Sequence, residues 1–310
     1  MAHNRYAPLL ALASLAALTA CAGGAPSALA PAMSQRGWLS PDARTKPLIY
    51  VSDFTGNAVF IYPQGTNNPA PIGKITTGIA GPLGNFVDGH GTLYVANSSN
   101  NTVTEYSRGS TTPSVTLSSG ISAPTTVAVD RAGTVAVGEF VSDEILEFAP
   151  GASSPMVTIT LLTYPEGLAF DYSRHLYAAW NQNNGSSLAG HVSKCERLRS
   201  VCADQGIVEG QSGGLALDSS ANLILGDQTH AAMNIYAPGA TSPTRTISTP
   251  GHDPYKFALD KAEKTLYVAD IDTGQVLTYD YASGTQTGTI SSGLKSAWGV
   301  ALSPAAPYAR

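Results

Sequence analysis

One pattern dominates the chain: strand, turn, strand, six times over. The copies read "LIYVSDFTGNAVFIY" from 48, "LYVANSSNNTVTEY" from 93, "VAVGEFVSDEILEF" from 135, "LYAAWNQNNGSSLAG" from 176, "LILGDQTHAAMNIY" from 223 and "LYVADIDTGQVLTY" from 266. In the last, Leu266, Tyr267 and Val268 are β-formers, Asp272-Thr273-Gly274 is turn chemistry, and Val276 to Tyr279 is β-rich again. The copies start 41 to 47 residues apart. A recurrence of that size marks a repeat fold, in which each unit buries its apolar face against the next.

A second landmark precedes most copies, an apolar strand closed by Asp: "GNFVD" (84–88), "TVAVD" (126–130), "GLAFD" (167–171), "GLALD" (214–218), "KFALD" (256–260) and finally "GVALS" (299–303). With the hairpin and a "PSVTLSSG"-like stretch this makes four antiparallel strands per unit, which is one blade of a β-propeller. The first unit lacks its inner strand, and the last inner strand, 297–304, has no unit after it. The two ends complete one another. The expected fold is therefore an all-β, six-bladed propeller over 47–304, closed by the C-terminal strand joining the first blade and leaving no open edge, with 305–310 as a tail.

Charged residues make up only 13% and the net charge is −5. Without a basic cluster, nucleic-acid binding is excluded as a working hypothesis, because it needs several cations to neutralise phosphates together. The N-terminus carries an address. Arg5 precedes the apolar run "APLLALASLAALTA" (7–20), too short for a spanning helix but suited to a signal peptide. It ends in "LTAC", which resembles the bacterial lipoprotein signal, so residues 1–21 are expected to be a signal peptide with Cys21 as the lipidated residue. Residues 22–46, rich in Ala, Pro, Gly and Ser, are read as a flexible tether whose Trp38 and Leu39 can dock on the fold. The expected location is the bacterial cell envelope, with a lipid anchor, at the outer membrane or facing the periplasm.

"LYVAN" (93–97), "LYVAD" (266–270) and "PEGLAFD" (165–171) resemble the NHL, YVTN and gluconolactonase-like propeller families over most of 47–304. That resemblance implies the architecture. For the gluconolactonase-like enzymes it also implies a lactonase or lyase activity with a divalent cation such as Ca or Mg at the channel mouth, where Glu166 stands at the matching position. No blade carries a Trp-Asp pair, which disfavours the WD40 class.

Counting back five positions from the end of each inner strand gives a candidate channel ring of Leu83, Thr125, Glu166, Gly213, Tyr255 and Trp298, on the expectation that alternate side chains face inward. The ends of the second strands give another: Asp53, Asn97, Glu139, Trp180, Asp227 and Asp270. These Asp and Asn residues also suit turn capping. The candidate binding residues are Glu166, Trp180, Asp227, Asp270, Tyr255 and Trp298, with the three aromatics as a floor for a flat ligand. In the enzymatic alternative Glu166 and His252 are catalytic, and Glu166, Asp227 and Asp270 hold the metal. "GQSGG" (210–214) mimics a nucleophile elbow, but Ser212 precedes a strand, not a helix, so the context is wrong. Cys195 and Cys202 are expected to form a disulfide in an exported protein, in an insertion whose tip carries Arg197 and Arg199.

No constellation of catalytic residues stands out. The favoured reading is a non-catalytic, monomeric, extracytoplasmic propeller lipoprotein that needs no cofactor and binds a protein or glycan through one face. The lactonase or lyase is the alternative.

Overall fold

The computed structural model describes residues 37–160, 163–185, 187–196 and 199–309. The signal peptide, Cys21, most of the tether and Arg197 lie outside the described residues. Among those described, the strands form six antiparallel sheets. Each is a blade, and the six inner strands are Pro82–Val87, Pro124–Val129, Pro165–Phe170, Ser212–Leu217, Pro254–Leu259 and Ala297–Ser303. Several begin with proline. An inner strand has one unpaired edge toward the axis, and the first position of such a strand tolerates a residue without an N–H.

The ring closes as the repeat register requires. Ala297–Ser303 pairs with Leu48–Asp53 of the first blade, with Ile49 opposite Leu302 and Val51 opposite Val300. Gln64 Nε2 donates to the carbonyl of Leu48 at 2.8 Å, tying the third strand of the blade to the seam. The closing strand explains its own departure from the repeat. In five blades the Asp ending the inner strand accepts N–H groups of the turn that follows: Asp88 from His90 and Thr92, Asp130 from Ala132 and Thr134, Asp171 from His175, Asp218 from Ser220 and Asn222, Asp260 from Lys264 and Thr265. No such turn follows Ser303, so no carboxylate is needed there. Its Oγ instead accepts from Arg108 Nη1 at 2.6 Å.

Inner-strand side chains do not alternate toward the axis, contrary to the sequence expectation. The sheets stand radially, so alternate side chains pack against the preceding and the following blade: Phe257 sits in the core with Ile224 and Met233 of blade 5, and Ala258 packs on the core containing Ile49 and Val51 of blade 1. These interblade cores hold the ring together. Tyr106, Phe148, Tyr236 and Tyr279, at or next to the ends of the third strands, lie opposite Leu93, Val135, Leu223 and Leu266 and are fully buried, each contributing about 2 kcal/mol of apolar burial. Several tyrosines also stitch across blades, as Tyr62 O–H does to the Ser292 carbonyl and Tyr106 O–H to that of Thr77, both at 2.7 Å. In blade 4 the same register position, opposite Leu176, belongs to Cys195. It is disulfide-bonded to Cys202, so a covalent link replaces the aromatic. The three outer strands of this blade run to eight residues each.

Both ends of the propeller extend beyond 47–304. Trp38–Leu39 pairs with Gly73–Ile75 as a fifth strand on blade 1, and Ala43 behind it is fully buried. The tether's last ten residues are therefore folded, covering an edge that would otherwise be open. At the other terminus Ala309 is buried, its carbonyl accepts the N–H of Tyr172, and Tyr308 O–H donates to the carbonyl of Val129. The tail lies across one end of the channel.

Candidate functional site

The inner strands begin at one face, here the mouth, and end at the tail face. At the mouth the second residue of each inner strand forms the expected ring, but only part of it converges. Tyr255 O–H donates to Glu166 Oε2 at 2.6 Å, and Lys256 Nζ lies 3.1 Å from the same oxygen while also donating to the Glu166 carbonyl. The ammonium stands 4.0 Å from the centre of the Tyr255 ring. Glu166 and Lys256 are both buried. Burial pushes the Lys256 amine below its usual range, and Glu166 works against that shift.

These contacts connect blade 6 to blade 4 past blade 5, and the sequence of blade 5 is what permits it. A Cβ on Gly213 would lie 2.7 Å from the Tyr255 carbonyl, and one on Gly214 2.8 Å from the same atom and 3.1 Å from Lys256 Cα. The two glycines let the blade 6 backbone close in.

Tyr255 meets Trp298 edge to face at 5.2 Å, and Phe54 packs on Trp298 at 5.5 Å. A second group, Phe140 stacked on Tyr164 at 4.8 Å, belongs to blades 3 and 4, across the ring from blades 6 and 1. Phe54, Phe140, Tyr164 and Trp298 are half-buried. Trp180 is not part of either group. It is buried within blade 4, stacked on His191 at 4.6 Å with its indole N–H donated to Ser193 Oγ.

The second ring is occupied by backbone. Asp53 accepts the N–H groups of Gly56, Lys295 and Ser296; Asn97 Oδ1 accepts that of Ala80; Glu139 takes Ser122 N–H and Ser142 O–H; Asp270 takes the N–H of Asp253 and Asp272. Each staples the end of a second strand to the loop entering the inner strand of its own blade. Asp227 accepts from His230 N–H, and in blade 4 Asn181, one residue beyond Trp180, bonds Ser212 N–H at 2.7 Å. Burial pushes the Glu139 carboxyl up, and its two hydrogen bonds oppose that. His252 Nδ1 lies 2.6 Å from Asp270 Oδ2, and His230 Nδ1 2.8 Å from Asp227 Oδ2. Among the described residues no three His, Cys, Asp or Glu side chains converge where a metal ion could sit. Glu166, Asp227 and Asp270 are held apart by these separate duties, and His252 is engaged with Asp270 rather than Glu166.

Three features escaped the sequence reading. The first is Lys256, the one cation in a ring of third positions otherwise made of Gly84, Thr126, Gly167, Gly214 and Gly299; a lysine among glycines was the available signal. The second is Glu209, at the end of the outer strand of blade 4. It receives Tyr236 O–H at 3.1 Å and Asn234 Nδ2 at 3.2 Å, and the same Asn234 nitrogen reaches Asp227. Burial, reinforced by Asp227, pushes its carboxyl up to about 8 against those two hydrogen bonds. The third is a chamber of about 140 Å³ on the axis, between the level of Lys256 and the tail, with Val127, Leu168, Leu215, Val300 and Tyr308 in its wall.

The sequence matches no protein-family model and no curated protein. Its fold is widely shared. A chain of the nidogen/laminin complex superposes with a TM-score of 0.66 at 18% identity, covering 83% of this chain and 98% of the other. The chain is a β-propeller. At that identity the likeness carries the architecture alone, since one fold hosts many functions.

Proposed function

We propose that this is a non-catalytic binding propeller, exported and lipid-anchored through Cys21 at the bacterial envelope, which engages a protein or glycan partner through its mouth face. The observation that carries this reading is the division of labour on that face. Its rim carboxylates, such as Asp53 and Asp270, are consumed by backbone N–H groups, while half-buried aromatics flank the mouth in two groups, Phe54–Trp298 and Phe140–Tyr164. Aromatic side chains supply rigid contact area and are enriched where partners bind. The nidogen/laminin neighbour is a propeller solved in a protein complex, which accords with such a role. The Cys195–Cys202 loop, with Arg199 exposed, is a second surface for specificity.

The test is retention of envelope components by the immobilised protein, comparing wild type with a Phe54→Ala/Trp298→Ala variant of unchanged circular dichroism. The reading predicts a specific partner retained by wild type and reduced about tenfold or more by the variant, as loss of interface anchors does. Equal retention by both proteins would place binding elsewhere.

A further inference from the structure

The mouth aromatics leave one chemically distinctive group unused: the amine of Lys256. Its environment has three parts. The residue is buried and is one of those that line the axial chamber. A carboxylate lies 3.1 Å away, and a phenol bonds that carboxylate at 2.6 Å. The rest of the chamber wall is largely apolar. An engineered apolar cavity of about 150 Å³ holds benzene, so a volume of about 140 Å³ admits a short aliphatic molecule.

We propose that Lys256 is a reactive amine that captures small aliphatic aldehydes or ketones in the chamber as a reversible iminium. The proton balance follows from the contacts. The ammonium gives a proton to Glu166, and the neutral nitrogen adds its lone pair to the carbonyl carbon, forming the C–N bond. A proton moves from nitrogen to oxygen to give the carbinolamine. Glu166, now protonated, returns its proton to the hydroxyl as the C–O bond breaks and water leaves. Ammonium and carbonyl compound become iminium and water, with nothing oxidised or reduced. Glu166 ends as it began, a carboxylate paired with a cation, so capture creates no unpaired buried charge. Tyr255 holds the carboxylate in place throughout. Burial favours the neutral amine that must attack, the same route by which lysines are activated for imine chemistry elsewhere.

The test uses the purified protein with butanal as probe and cyanoborohydride to trap the imine, followed by mass spectrometric mapping of each lysine. The expected result is labelling of Lys256 faster than that of the exposed Lys261 and Lys264, with the preference abolished in urea. Glu166→Gln leaves more of the amine neutral but removes the acid that protonates the departing hydroxyl, and should slow trapping at Lys256. Labelling of Lys256 no faster than that of the exposed lysines overturns the proposal. Unchanged labelling in a folded Glu166→Gln protein overturns the proton relay, and if that variant does not fold, the wild-type preference decides alone.

Discussion

Replacing Glu209 by Gln should change how the stability of this propeller depends on pH. Glu209 stands with its carboxyl raised from 4.5 to about 8. In the unfolded chain it titrates near 4.5, so between those two values the native state holds a proton that the unfolded state has lost. Stability therefore falls as pH rises through this window: the contribution is intact below 4.5 and gone by about 8. Each pH unit costs about 1.4 kcal/mol, which sets a ceiling of about 5 kcal/mol over the window. Glu209 sits on the outermost strand of its blade, at the edge of the sheet, where relaxation and water entry reduce the cost, and about 2 kcal/mol is the expected size. Gln keeps an oxygen to accept from Tyr236 and Asn234 but has no proton to lose. Urea unfolding of both proteins at pH 5 and pH 8, with the disulfide intact, isolates the group because every other titration is shared. The variant should gain about 2 kcal/mol on wild type in going from pH 5 to pH 8. A difference independent of pH would refute the assignment.

Other perturbations test the mouth and blade 4. Glu166→Ala strands a buried ammonium and should cost about 3 kcal/mol, whereas Glu166→Gln combined with Lys256→Met should fall within about 1 kcal/mol of wild type; a double-mutant cycle by urea denaturation measures the difference. Gly214→Ala sets a Cβ against the Tyr255 carbonyl and should lower stability by about 1–3 kcal/mol, with a thermal midpoint unchanged from wild type as the contrary result. Cys195→Ser opens a short loop and vacates a buried position, so it should cost about 2.5 kcal/mol or more on the loop-entropy model, measured against wild type without reductant.

The architecture was legible because the repeat is written twice, in the hairpins and in the Asp-terminated inner strands, and the mismatch between the two at the chain ends announces the closing seam. Even the Ser at 303 carries meaning, since it marks the one inner strand with no turn to staple. The disulfide was legible from cysteine scarcity in a chain whose N-terminus reads as an export signal, although its place in an aromatic register position emerges only once blade 4 is aligned on the others. The site was harder to read. Glu166 stood out as a carboxylate in the channel ring, but its partner Lys256 belongs to the next ring along and reaches it from two blades away, through a gap made by Gly213 and Gly214. Such a contact depends on the closure of the ring, which no local spacing encodes. Trp180 shares a register with the rim carboxylates, yet it stacks on His191 within blade 4, and the Asn181 side chain beside it bonds Ser212 of the next blade. Tyr308 anchors a segment of Ala and Pro with no periodicity at all.

The central claim, that one face binds, is tested most directly by amide hydrogen exchange of the protein with and without its captured partner. The account predicts slowed exchange in the mouth segments around Phe54, Phe140, Tyr164 and Trp298, with the turns after Asp88, Asp130 and Asp218 on the opposite face unchanged. Protection of those opposite turns, with the mouth segments exchanging as in the free protein, would contradict it.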